Sequence, residues 1–180
     1  MNKIIILMTM GCFFLLGCQS TSPVDVTQVG KNQVDSFSKE TAPKYQEFIH
    51  PGDTLPIRSI VNVDGNVIDL TNRNKRKLVI LFATWCSDSN RALKALNQSA
   101  LLSDPTLEII AIAREETSED VIKWRNEHNI KVPLATDIDR SIYKQFAVGG
   151  IPRLITIGKD NKVIRMNLAE GEQQLKLIQW

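Results

Sequence analysis

Cys86 is the residue of this chain whose type and setting best suit it to do chemistry. It ends the apolar, β-branched run Leu78-Val79-Ile80-Leu81-Phe82-Ala83-Thr84-Trp85, and the polar residues Ser87, Asp88 and Ser89 follow it at once. A helix-like pattern begins there, so the thiol falls at a strand-to-helix junction. Free backbone N–H groups and the helix dipole favour a thiolate at such a place, and the thiolate is the nucleophilic form. A lone cysteine is otherwise a small buried hydrophobe, but its place at the end of an element argues for a working thiol. Three residues on, where a two-thiol redox site carries its resolving cysteine, stands Ser89. The frame of a dithiol site is present with one sulfur.

The rest of the cysteine count sharpens this. The chain has 180 residues and 3 cysteines, Cys12, Cys18 and Cys86. Residues 1–17 read as an export signal: Lys3 is the only charge, an apolar stretch follows, and small residues end it. The stretch is too short for a comfortable membrane-spanning helix, which needs about 20 apolar residues. Its ending, Leu15-Leu16-Gly17-Cys18, resembles the lipobox of bacterial lipoproteins. That resemblance implies cleavage before Cys18, a diacylglycerol on its sulfur, and a lipid-anchored protein facing the periplasm or the exterior. Gln19 in place of aspartate points, by the same analogy, to the outer membrane of a Gram-negative cell. Cys12 would leave with the signal and Cys18 would carry lipid. Cys86 would then be one free thiol in a compartment where disulfides persist, with no partner for an intramolecular bridge.

Composition excludes several functions. A formal charge of +2 gives no case for nucleic acid. The basic cluster at residues 73–77 reads as a solvated turn ahead of a strand. His50 and His128 lie far apart and in no ligand-spaced cluster with Cys86, so no metal site is expected. There is no glycine-rich phosphate loop, and no cofactor is implied.

The elements that must position the thiol follow from periodicity and punctuation. Residues 18–50, with few large apolar side chains, read as a flexible tether with a short helix expected at 45–49. Residues 51–180 read as one domain. Strands at 59–63 and 67–70 flank the turn Asp64-Gly65-Asn66. The continuous apolar runs at 78–83 and 107–113 predict strands buried on both faces. Helices are expected at 90–102, from Thr117 onward with Ser118 as cap, and over 137–146. A short strand at 132–135, a closing hairpin of 154–158 and 162–167, and a short C-terminal helix complete the pattern. Strands alternating with helices, then a hairpin, give an α/β class with a mixed sheet.

Three segments together resemble the thioredoxin fold, and within it the exported, membrane-tethered TlpA-like and ResA-like thiol–disulfide oxidoreductases. Gly52-Asp53-Thr54-Leu55-Pro56 to Leu70 is similar to that group's N-terminal hairpin extension. Residues 78–89 are similar to its strand and active-site turn, F-A-T-W-C-x-x-C, with Ser89 at the last cysteine. Gly149-Gly150-Ile151-Pro152-Arg153 is similar to its loop ending in a cis-proline. The likeness spans residues 51–170. It implies a mixed sheet flanked by helices and a site made of Cys86, Trp85, Ser89 and Pro152. It further implies that Ile151 and Gly150 offer backbone groups to a substrate segment. Asp88 stands where the group usually has proline and sets a negative charge against the helix dipole. Ile80 occupies the strand position where thioredoxins bury a proton-accepting aspartate.

The function implied is monothiol exchange or isomerisation with protein or small-molecule disulfides and thiols, because attack on a disulfide needs one thiolate and not two. The rival is a redox-inactive binding module using the groove around Trp85 and Pro152. A one-cysteine peroxidase fits less well: in its P-x-x-x-T-x-x-C pattern the proline and threonine positions fall on Val79 and Ala83.

Overall fold

The structure, a computed structural model, describes residues 44–180. The export signal, Cys12, Cys18 and the tether up to residue 43 lie outside the described residues. Strands β1 (Ser59–Val61) and β2 (Val67–Asp69) pair antiparallel as the expected hairpin. Asn62 Oδ1 closes its turn by accepting from Asp64 N–H at 3.0 Å and Asn66 N–H at 2.8 Å, while Gly65 takes φ 81°. A positive φ at that point is the reason for glycine.

Strand β3 (Arg76–Phe82) begins earlier than the apolar run. The basic cluster expected in a solvated turn therefore splits: Lys77 is fully buried in β3, and its Nζ donates to Asn161 Oδ1. Helix α1 (Ser87–Asn97) starts directly after Cys86 and stops before residue 102, where a separate turn, Ala100–Ser103, takes over. Ser99 explains the break, since its hydroxyl donates to Leu96 O at 2.9 Å and so takes up a carbonyl the helix end leaves free. β4 (Leu107–Arg114) leads to α2 (Ser118–Glu127), capped by Thr117 and not by Ser118. The Thr117 hydroxyl accepts from Asp120 N–H at 3.2 Å, the bond an N-cap supplies to a helix's unpaired donors.

β5 (Leu134–Asp137) is followed by turns where a helix over 137–146 was expected; only Tyr143–Gln145 closes a single 3₁₀ turn. Asp137 is the cause. Its carboxylate accepts from Ile142 N–H at 3.0 Å and Tyr143 N–H at 2.7 Å, and Arg140 sits at φ 65°. Those side-chain bonds compete with a helical ladder. β6 (Arg153–Ile157) and β7 (Val163–Leu168) form the closing hairpin, and the C-terminal helix is a short 3₁₀ turn, Gln174–Leu177. Residues 45–49, expected as a short helix, are extended instead, with Glu47 bridged antiparallel to Ala147.

The main sheet runs β5-β4-β3-β6-β7, with β3, β4 and β5 parallel and β6 and β7 antiparallel. Alternation along β3 feeds two cores. Leu78, Ile80 and Phe82 pack with Leu93 and Leu96 of α1 and with Val121 and Trp124 of α2. Val79 and Leu81 face the other way, against Leu55, Ile57, Leu70, Tyr143 and Phe146. Each such side chain contributes ~1.5–3 kcal/mol by burial, so β3 is held firmly from both faces. Its C-terminal end is where the chain turns to Cys86. This is a thioredoxin-like fold, a mixed sheet flanked by helices. Among the described residues no helix is long and apolar enough to cross a membrane.

Candidate active site

Cys86 is the N-cap residue of α1, with extended backbone (φ −87°, ψ 122°). Its N–H donates to Ala83 O at 3.2 Å and its carbonyl accepts from Asn90 N–H at 3.0 Å, so the backbone makes one tight turn from β3 into α1. Its side chain makes no capping bond to the helix. The sulfur is half-buried and lies at the helix end, where N–H groups lack intrahelical partners. Beside it Trp85 is 67% exposed, an apolar face presented to solvent. Ser89 is fully buried, and its hydroxyl accepts from Ala83 N–H at 3.4 Å. It thus turns toward the end of β3, and the structure shows no hydrogen bond from it to the thiol.

The Ile151–Pro152 peptide bond is cis. Cys86 Sγ lies 3.8 Å from Ile151 O, a weak S–H donor contact that joins the two loops. Gly150 precedes them at φ 86°, which suits a glycine, and Tyr143 Oη donates to its carbonyl at 2.6 Å. Residues far apart in sequence therefore meet at one end of the sheet: Trp85, Cys86 and Ser89 from the β3–α1 turn, Gly150, Ile151 and Pro152 from the loop before β6.

The redoxin family model matches residues 50–176, a span that contains both loops and every strand of the main sheet. The chain belongs to the redoxin family. Among its relatives are the thiol–disulfide oxidoreductases ResA of Bacillus thuringiensis (strain Al Hakam), 26% identical over 131 residues, and of Bacillus cereus (strain ATCC 10987 / NRS 248), 28% identical over 139 residues. These alignments cover 72% and 76% of this chain, and 76% of each relative. Among solved structures, a Bacteroides thetaiotaomicron protein proposed to be a protein disulfide isomerase superposes with a TM-score of 0.67 at 20% identity. That match covers 74% of this chain and 87% of the other. A secreted disulfide oxidoreductase of Mycobacterium tuberculosis gives 0.57 at 16% identity, covering 66% and 90%. At these identities the structures attest the fold.

This redoxin holds its β3–α1 turn with residues that no motif announced. Glu116, two residues past the end of β4, accepts from Thr84 N–H at 2.8 Å and from the Thr84 hydroxyl. Asn90 Nδ2 donates to Thr84 O at 2.6 Å and Cys86 O at 2.8 Å, and Trp124 Nε1 donates to Asn90 Oδ1 at 2.8 Å. The indole proton thus fixes which way the Asn90 amide points. These bonds cross 32 to 34 residues of sequence for the Glu116 and Trp124 contacts, so no local pattern reveals them. The one available signal is positional: a carboxylate directly after a buried parallel strand lies at the sheet end where α/β folds place their sites. Glu115 sits at φ 59°. This left-handed backbone is uncommon for glutamate and is found preferentially where a site demands a special turn.

Asp88 and Ile80 each acquire a setting. Asp88 pairs with Arg91 one turn along α1 and accepts from Gly171 N–H at 3.3 Å, so its charge is partly neutralised. Ile80 is buried in the α1-side core, and the strand offers no proton acceptor there. Among the described residues no group of three His, Cys, Asp or Glu side chains is placed to hold a metal ion. His50 lies 3.8 Å from Asp53, and His128 packs edge-on to Trp124.

Proposed function

We propose that the protein carries out monothiol thiol–disulfide exchange or isomerisation in the cell envelope, through Cys86. The observation that carries this reading is the half-buried thiol at the start of α1, 3.8 Å from the carbonyl that precedes the cis-proline. The names of the ResA relatives support the chemistry, and the redoxin match over residues 50–176 spans both halves of the site.

The reaction follows from one sulfur. The Cys86 thiolate attacks a substrate disulfide along the S–S axis, forming a protein–substrate mixed disulfide and expelling the other substrate sulfur as thiolate. Ile151 pairs its backbone with the substrate segment, Pro152 holds that backbone beside the sulfur, and exposed Trp85 covers apolar substrate surface. With Ser89 in the resolving position, release requires a second thiolate from the substrate or from a small thiol. That thiolate attacks the mixed disulfide, takes the substrate sulfur into a new disulfide and returns Cys86 as thiolate. Electrons balance without a cofactor: one disulfide is consumed and one is formed. Isomerisation and exchange with a small-thiol pool fit this cycle, whereas stand-alone dithiol reduction does not.

The substrates are protein or small-molecule disulfides and thiols, and the membrane is reached through lipid on Cys18. Both the lipoprotein signal at residues 1–17 and the Leu-Leu-Gly-Cys ending support the envelope location. One observation favours the binding-module reading instead: Ser89 is buried against Ala83 N–H and gives the thiol no hydrogen bond. Disulfide exchange on an insulin-type substrate with added glutathione separates the two. Exchange that is lost in Cys86→Ser is the expected result; equal rates in wild type and variant would give the binding module the lead.

A further inference from the structure

Residues 45–49 lie as an extended strap along the loop that leads to Ile151. Exposure alternates, with Tyr45, Glu47 and Ile49 turned inward and Gln46 and Phe48 exposed, the period of a strand. Val148 N–H donates to Gln46 O at 3.0 Å and Phe48 N–H donates to Phe146 O at 2.8 Å, either side of the Glu47–Ala147 bridge. The Tyr45 ring lies directly on Gly149 and Gly150: a Cβ at either position would fall 2.9 or 2.8 Å from ring carbons. Those glycines therefore permit a close approach as well as a turn.

Arg153, the residue after the cis-proline, is fully buried. Its Nε and Nη2 both donate to Gly149 O, at 3.2 and 2.6 Å, and its Nη1 donates to the Glu47 carboxylate. A buried guanidinium needs a countercharge, and the strap supplies it. Three successive carbonyls are held in three ways. Gly149 O is held by Arg153, Gly150 O by the Tyr143 hydroxyl, and Ile151 O faces the Cys86 sulfur. Glu47 anchors the first link of that series from outside the loop.

We propose that Glu47 and Arg153 are positioning residues for exchange. The pair fixes the 149–152 loop so that Ile151 presents its backbone to an extended polypeptide beside Cys86. The stretch just ahead of the domain is then a working part of the site, and its effect is selective for polypeptide disulfides. A small disulfide makes no backbone pairing with Ile151 and does not need the loop. The inference rests on the thiol–disulfide reading above.

The test compares the full-length chain with Glu47→Ala, Glu47→Gln and the double variant Glu47→Met/Arg153→Met. The double variant removes both charges together and so leaves no uncompensated buried ion. Two substrates are used, an extended peptide carrying a mixed disulfide and 2-hydroxyethyl disulfide, with Cys86 alkylation by iodoacetamide alongside. Glu47→Ala and the double variant should lose about tenfold in kcat/KM on the peptide, mainly through KM, with the small disulfide and alkylation held within about twofold. Glu47→Gln, which keeps a hydrogen-bond acceptor but not the countercharge, should give a peptide rate between those of wild type and Glu47→Ala. Hydrogen exchange should quicken at residues 146–153 in Glu47→Ala and the double variant while β3 and β4 keep their protection. Equal losses on both substrates, an unaltered peptide rate, or unaltered exchange at 146–153 would overturn the proposal while the thiol–disulfide reading stands. A wild type that exchanges with neither substrate, like Cys86→Ser, would remove that reading and this inference with it.

Discussion

Ser89 lies on the first turn of α1, three residues after Cys86, with its hydroxyl against Ala83 N–H. A cysteine at that position would stand three residues from Cys86 at the helix start, a spacing that brings two sulfurs within bonding reach. Ser89→Cys should therefore close an intramolecular disulfide under mild oxidation and turn over disulfides with an external reductant, without a small thiol to release it. Free-thiol counts before and after oxidation check this; a mutant that keeps both thiols contradicts a thioredoxin-like turn. Burial lowers the Lys77 pKa from 10.5, outweighing the attraction of Asp69 and Asp160. The folded state thus gives up this proton at lower pH than the unfolded chain does. The stability tied to Lys77 rises as pH climbs from the lowered value toward 10.5, then levels. Wild type should gain on Lys77→Met in urea unfolding as pH is raised from neutral to alkaline, and parallel curves would contradict the buried charge. Cys86 and Pro152 were legible in the sequence because a junction and a glycine-rich X-Pro loop are local signals. Lys77, Glu116 and Arg153 were not, since each takes its role from a partner 32 or more residues away.

The two helices show what a single hydrogen bond can do to an element. Thr117 caps α2, far from the thiol in the chain, whereas Asn90 on α1 ties Thr84 O and Cys86 O together. Thr117→Ala should cost ~1 kcal/mol of stability and leave exchange rates as they are. Asn90→Ala should cost ~0.5–1.5 kcal/mol per bond lost and also slow exchange, because the turn that aims the thiol loosens. Chemical unfolding and peptide-disulfide kinetics on both variants decide it, and equal catalytic effects would show that the Asn90 network serves stability alone. The same physics marks where periodicity misled. Segment 137–146 has helical spacing, but the Asp137 carboxylate claims the N–H groups of Ile142 and Tyr143 and stops a helix from forming. Segment 45–49 was too short for its alternation to stand out, and its strand-like form depends on the loop it lies against. The buried strands were legible because nothing competes with a long β-branched run placed between two layers.

At the scale of the molecule, a thioredoxin-fold domain carries its thiol at the C-terminal end of the central strand. The order of its elements was readable from alternating periods and one closing hairpin. The 1–18 segment adds a prediction about the whole chain. Wild type should partition into the detergent phase, and Cys18→Ala should return it to the aqueous phase, since a lipid signal of two or three chains anchors durably where one does not. Aqueous recovery of wild type, unaltered by Cys18→Ala, would contradict the lipoprotein reading. One sulfur performs the proposed cycle, and a second thiol must end it. Intact-mass measurement after incubation with a peptide disulfide tests this most directly. A single peptide adduct on Cys86 is expected, stable until a small thiol is added, discharged by that thiol, and absent from Cys86→Ser. No adduct on wild type, or an adduct that no thiol discharges, would contradict it.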